Sequence, residues 1–249
     1  MEKLSFLIAG AQKAGTTALD AYLRKHPELS MAEGKEMHFF DREHGVDWRN
    51  PDYDLLHSHF GQRPGLRGES TPVTLYWTPA HYRILRYNPQ MRFIILMREP
   101  GARAFSHWRM NISRGLDDIG FSEAIREGRR RVLEDPIQSG LARHSSYIER
   151  GYYGRQIGLL VTLFPISNML FLRKSDLLAD PDPVLAQVAS FLNIAPFDPV
   201  VPMLMNPSDD TDGQLMSAED RAYLDDIFRT DLDRLKQLTG IELPAEDVS

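Results

Sequence analysis

The sequence has no cysteine among its 249 residues, which excludes disulfide frameworks, thiolate metal sites and cysteine nucleophiles together. Its chemistry must therefore come from oxygen, nitrogen or a bound small molecule. No apolar run approaches the roughly 18 to 20 residues needed to span a bilayer. The short stretch Phe6 to Ala11 has neither the basic start nor the cleavage pattern of a secretion signal, so a cytoplasmic chain without a membrane span is expected. An excess of positive charge is also missing. The formal net charge is -6, and a moderately acidic protein lacks the basic face that nucleic-acid phosphates require. The acidity is local: residues 206–249 hold 12 acids and 4 bases, whereas the rest of the chain holds 23 acids and 25 bases. An anion site in the first 205 residues is compatible with that balance.

What is present describes an ordinary globular chain, 42% apolar and 26% charged, long enough for a large core. No linker or internal repeat divides it, and a single domain over residues 1–249 is expected. Leu4 to Ala9 is a short apolar run ending at Gly10, followed at once by the helical spacing of Leu19, Tyr22 and Leu23 and a stop at His26-Pro27. Phe93 to Met97 is a second such run, suited to a strand buried on both faces, with Pro100 and a helical stretch to about Asn111 behind it. Ile157, Leu160, Val161 and Phe164 keep helical spacing, Met169 to Leu172 reads as a strand, and Leu185, Val188, Ala189 and Leu192 as a helix. A last helix is expected from about Ser217 to Leu238, stopped by Gly240. Strands alternating with helices predict an α/β fold, a central parallel sheet flanked by helices. Residues 51–67 and 206–214 are the expected loops.

Gly10 to Thr17 (GAQKAGTT) stands between the first strand and the first helix, where an α/β protein holds a phosphate on backbone N–H groups and the helix dipole. It nearly matches the nucleotide-triphosphatase pattern G-x-x-x-x-G-K-[ST], but its lysine, Lys13, falls inside the loop, and Thr16 occupies the usual lysine position. The end of the Phe93 to Met97 strand departs from that pattern again. A magnesium-dependent phosphate-transfer enzyme commonly places an acid there, and this chain has Arg98. A guanidinium repels Mg²⁺ but pairs with a phosphate; its plainer alternative is a pair with Glu99. Arg103 is a further cation, and Ser106 a hydroxyl, on the helix that follows.

These motifs, with Lys35-Glu-Met-His-Phe-Phe-Asp41 and Gly68-Glu-Ser-Thr-Pro72 between them, resemble the sulfotransferases that use 3'-phosphoadenosine 5'-phosphosulfate. The likeness is to the branch with heparan sulfate O- and N-sulfotransferases and bacterial relatives, and runs from Phe6 to about Gly240. It includes Tyr152-Tyr-Gly154 and the Asp180-Pro helix start. It implies a fold like that of the P-loop nucleotide triphosphatases. It also implies that the loop residues Gln12, Lys13, Ala14, Gly15, Thr16 and Thr17 bind the donor's 5'-phosphosulfate, with Lys13 stabilising the bridging oxygen. Arg98 and Ser106, in R-x-P-x-x-R-x-x-S, correspond to the 3'-phosphate site. Glu36 corresponds to the general base, with His38 and Asp41 placed to orient it or touch the acceptor; the alternative is that Phe39 and Phe40 are core and His38 is a satisfied buried imidazole. The donor implied is 3'-phosphoadenosine 5'-phosphosulfate, with no metal, because transfer of an SO₃ equivalent needs only charge on the leaving oxygen. The acceptor is a hydroxyl of a carbohydrate, lipid or natural product. A kinase or triphosphatase, and a sulfonucleotide-binding protein without catalysis, stand as alternatives. Many relatives close a basic loop over the nucleotide, and the corresponding residues 206–213 here are acidic.

Other features carry plainer readings. His57 and His59 alternate as zinc ligands do, without a third ligand at metal spacing. Arg129-Arg-Arg131 reads as a solvated helix face rather than an attractor of an anionic acceptor, and Tyr152 and Tyr153 as packing rather than the lining of an acceptor cleft.

Overall fold

The structure, a computed structural model, describes residues 3–134, 140–203 and 215–246. Contacts divide the chain into two compact units, Met1–Met97 with Gln156–Met205, and Arg98–Arg155 with Asn206–Ser249.

The first unit is built on five strands: β1 (Phe6–Gly10), β2 (Leu29–Met31), β3 (Leu66–Ser70), β4 (Arg92–Met97) and β5 (Met169–Arg173). They form one sheet in the order β2-β3-β1-β4-β5, and every pairing is parallel. This is the α/β architecture that the alternation of patterns predicts. β1 is buried at every residue and β4 at all but Arg92, because a parallel sheet with crossover helices is covered on both faces. On one face Phe6, Ile8, Ile94, Leu96 and Leu172 pack with Leu19, Leu23, Leu185 and Val188 from the helices Thr16–Leu23 and Pro181–Leu192. Two neighbouring strands require a glycine: a Cβ at Gly68 would lie 2.0 Å from Phe6 Cζ.

Residues 51–67 are not all loop. They contain a short helix, Asp54–His57, and run into β3 at Leu66. Arg67 and Glu69 interrupt the apolar pattern that would have marked β3, and β2 is three residues long. The helix expected around Ile157 and Leu160 is Tyr153–Leu160; Phe164, beyond its end, packs edge-on against Phe93 with ring centroids 4.8 Å apart.

The second unit centres on the helices Pro100–Ser113 and Ala218–Thr239. Phe105, Trp108, Phe121, Tyr147, Leu224 and Phe228 form its core. The Glu99 carboxylate caps the first helix, accepting from Gly101 N and Ala102 N at 2.6 Å each. Ser217 caps the second, accepting from Asp220 N at 3.0 Å, and Gly240 ends it at φ 72°. Such caps contribute about 1 kcal/mol each. No described helix is long and apolar enough to cross a membrane.

Candidate functional site

β1 and β4 are neighbours whose chain continues to opposite edges of the sheet, β2 on one side and β5 on the other. In open α/β sheets ligands bind at the carboxyl ends of strands at such a point. Gly10 to Gly15 occupies the end of β1, and the helix Thr16–Leu23 begins directly after it, with Gly15 as its left-handed N-cap at φ 92°. A Cβ at Gly15 would meet Leu96 Cδ2 and Lys174 Cγ at 3.5 Å. The loop is drawn onto the sheet by Ala11 N donating to Leu96 O at 2.6 Å and is turned by Ala14 N donating to Ala11 O at 3.1 Å. The first N–H groups of any helix lack intrahelical acceptors, so those of Thr16 and Thr17 are suited to an anion. Thr16 is buried and Thr17 exposed; Gln12 and Lys13 are half-buried. The sequence-predicted loop residues are thus contiguous on one turn, and Lys174, to which sequence reasoning gave no role, lies against it.

The second cluster sits at the end of the neighbouring strand, β3. Glu36 N donates to Ser70 O at 3.0 Å, which hangs the turn Glu36–Asp41 from that strand. His38 bridges two acids, its Nδ1 2.9 Å from Asp41 Oδ2 and its Nε2 3.5 Å from Glu36 Oε2. Lys35 Nζ donates to Glu36 Oε1 at 2.8 Å. Asp41 is 1% exposed at its side chain, while Glu36 and His38 are 37% and 41% exposed. The buried acid therefore anchors the imidazole, and the other two side chains are partly exposed to solvent. Phe39 and Phe40 are core residues.

The charges follow from these contacts. The hydrogen bond to Asp41, then that to Glu36, raises His38 to about 9, so it is an imidazolium at neutral pH. Burial is the largest single influence on Glu36 and raises it, yet the bonds to His38 and Lys35 together outweigh burial and bring it to about 2. Glu36 is ionised throughout the working range. Only four described non-glycine residues have positive φ: Lys13 at 68°, Glu36 at 62°, His38 at 52° and Asn193 at 56°. Asn193 ends a helix; the other three are the catalytic candidates from the sequence. Each such residue costs of order 1–3 kcal/mol, a strain that clusters at functional sites.

Arg98 and Ser106 belong to the second unit, Arg98 just before the helix Pro100–Ser113 and Ser106 buried within it. Arg98 does not pair with Glu99. Its Nε donates to Glu246 Oε2 at 2.7 Å, while Glu99 caps the helix and accepts from Arg221 Nη1 at 2.9 Å. Arg103 is fully buried and donates to Tyr147 O. Arg129 and Arg131 are ion-paired with Glu149 and Asp117, and Arg130 alone of the three is largely exposed. Tyr153 is buried, and Tyr152 packs on Phe228 with centroids 5.2 Å apart. His57 Nε2 lies 2.9 Å from Tyr87 Oη, and no metal-holding group of three His, Asp or Glu occurs among the described residues. The acidic 206–213 stretch lies outside the described residues.

Residues 4–206 match a family model described as "Sulfotransferase domain". Human heparan sulfate glucosamine 3-O-sulfotransferase 3B1 is 30% identical over 190 residues, 76% of this chain and 45% of that protein. Human heparan sulfate glucosamine 3-O-sulfotransferase 6 is 31% identical over 194 residues, 76% and 52% of the two. The chain therefore spans about half the length of the curated relatives it matches. A solved sulfotransferase from Alicyclobacillus acidocaldarius superposes with a TM-score of 0.79 over 98% of each chain at 24% identity, which establishes the shared fold.

Proposed function

The chain belongs to the sulfotransferase family, and from that premise we propose that it moves a sulfuryl group from 3'-phosphoadenosine 5'-phosphosulfate to a hydroxyl acceptor, without a metal. On this reading residues 1–249 act as one transferase domain. The observation that carries the proposal is the coincidence of left-handed backbone with Lys13, Glu36 and His38, at the ends of adjacent strands of the parallel sheet.

The residues divide the work. Backbone N–H groups at Gly15 to Thr17 hold the 5'-phosphosulfate of the donor, Gln12 and Ala14 shape the turn, and Lys13 offsets the negative charge that grows on the departing phosphate oxygen. Arg98 and Ser106 take the 3'-phosphate, for which a planar guanidinium is well matched. Glu36 accepts the proton of the attacking hydroxyl. A carboxylate held at about 2 is a weak base towards a free alcohol. The hydroxyl oxygen turns strongly acidic as its bond to sulfur forms, however, so the proton leaves late and a weak base suffices. His38, fixed by Asp41, keeps Glu36 oriented and charged. The products are a sulfate ester and 3'-phosphoadenosine 5'-phosphate.

The names of the two human relatives make a glucosamine hydroxyl of heparan sulfate the first acceptor to try, followed by lipid and natural-product hydroxyls. The deciding experiment is mass spectrometry of acceptors incubated with the protein and donor. A gain of one SO₃ on an acceptor, dependent on the protein, supports the reading. Tight nucleotide binding with no transfer across the panel favours a sulfonucleotide-binding protein, and magnesium-dependent turnover of ATP favours a kinase.

A further inference from the structure

Beneath the turn that carries Glu36 and His38 lies a carboxyl group with no part in the chemistry described so far. Glu69, the fourth residue of β3, is 3% exposed. Its Oε2 accepts the Thr71 hydroxyl at 2.6 Å. Thr71 Oγ1 in turn accepts the backbone N–H of His38 at 3.4 Å, and one residue back along the strand Ser70 O accepts from Glu36 N at 3.0 Å. The two left-handed residues of the turn are thus fastened to three consecutive positions at the end of β3.

The bond from His38 N is long, and its strength depends on where the Thr71 hydroxyl proton points. A threonine hydroxyl is both donor and acceptor, and its proton rotates to the best partner. Committing that proton to Glu69 turns the oxygen lone pairs towards His38 N–H. Without Glu69 the hydroxyl is free to rotate, and a strained His38 has one less reason to stay left-handed.

We infer that Glu69 is a positioning residue for the transfer, fixing through Thr71 the left-handed turn that presents Glu36 and His38. The inference rests on the assignment of Glu36 as base. Its charge state is consistent with the role. Burial raises Glu69 to about 8; the Thr71 hydroxyl opposes that rise, Asp41 and Glu36 add to it, and His38 lowers it. At neutral pH Glu69 is mainly a neutral carboxyl. It accepts from Thr71 through its carbonyl oxygen without adding a third negative charge beside Asp41 and Glu36.

Three variants separate positioning from simple structural support. Glu69→Gln keeps a carbonyl acceptor for Thr71 and cannot ionise. Glu69→Ala removes the acceptor, and Thr71→Val removes the hydroxyl at nearly constant shape. In steady-state transfer assays at neutral pH, Glu69→Gln is expected to stay within about threefold of wild type. Thr71→Val and Glu69→Ala should lose tenfold or more in kcat at unchanged donor KM, since about 1.4 kcal/mol of misplacement is tenfold in rate. NMR titration of the His38 imidazole reads the turn without any turnover. Its dissociation should drop from about 9 towards the ordinary 6.5 in Thr71→Val and Glu69→Ala and stay high in Glu69→Gln. Wild-type kcat and an unmoved His38 titration in Thr71→Val would overturn the inference, as would a Glu69→Gln variant as impaired as Glu69→Ala. If no acceptor is sulfated by any form of the protein, the sulfotransferase reading fails, and the His38 titrations still decide the role of Glu69. Should Glu69→Ala not fold, the isosteric Thr71→Val carries the same two readouts.

Discussion

Arg98, the arginine that follows β4, is occupied by the carboxylate of Glu246, Nε to Oε2 at 2.7 Å. Arg221 holds that tail in place, donating to Glu246 O at 2.9 Å while its other nitrogen bonds Glu99. A carboxylate there makes the kind of contact a phosphate oxygen would make, so a nucleotide 3'-phosphate at Arg98 competes with it for the guanidinium. Glu246→Gln is expected to tighten binding of 3'-phosphoadenosine 5'-phosphate by up to about fivefold, as suits a partly exposed pair worth ~0.2–1 kcal/mol. AMP, which lacks the 3'-phosphate, should be unaffected. Arg98→Ala should abolish most of the preference for the bisphosphate, since charge-assisted bonds contribute about 1.5–3 kcal/mol each. Calorimetry giving wild-type protein equal affinity for the two nucleotides would remove Arg98 from the site.

Lys13 is assigned to the leaving oxygen, where charge develops only during transfer. Lys13→Ala should therefore reduce kcat more than it weakens nucleotide binding, the signature of an interaction that strengthens in the transition state. Transfer should also survive excess EDTA. Loss of activity on chelation, restored by Mg²⁺, would overturn the metal-free mechanism and favour the alternative kinase reading.

Glu36→Gln preserves shape and removes basicity. Transfer should slow at least ~100-fold with nucleotide binding intact, because general-base assistance typically contributes ~10²–10⁴-fold. Because Glu36 also helps hold the His38 charge, the imidazole should lose its proton at lower pH in this variant. A purely structural Glu36, paired only with Lys35, predicts reduced melting temperature with turnover near wild type.

The His38 pair sets a pH window for stability. His38 is raised from 6.5 to about 9 in the folded chain, so its contribution is complete below 6.5 and is lost as pH rises through 9. Glu36 is lowered from 4.5 to about 2, so its contribution is complete above 4.5 and is lost as pH falls through 2. The melting-temperature difference between wild type and His38→Gln should therefore shrink steadily from pH 6.5 to 9. A difference that stays constant across that range contradicts the imidazolium assignment.

β1, β4 and the helices around Leu19, Leu185 and Leu224 were legible because continuous burial and helical periodicity write themselves into residue type. The loop Gly10–Thr17 was legible too: glycine and lysine at fixed spacing after an apolar strand are a local pattern. β3 was not, since Arg67 and Glu69 disguise it, and the short β2 has too little periodicity to register. Glu69 and Thr71 stood in a motif with no role attached, because a buried carboxyl cannot be told from an exposed one by its letter.

The sequence by itself determined the α/β class, the place of the glycine-bearing loop between the first strand and helix, and the residue types available for chemistry, all of them consequences of neighbours within a few positions. Only the tertiary structure decided which charges meet. It joined His38 to Asp41 and Glu36 and gave the Glu69 carboxyl to Thr71. It also paired Arg98 with Glu246, 148 residues away, rather than with the adjacent Glu99. The physical reason is that pairing energy and burial depend on separation and dielectric in space, and chain distance encodes neither.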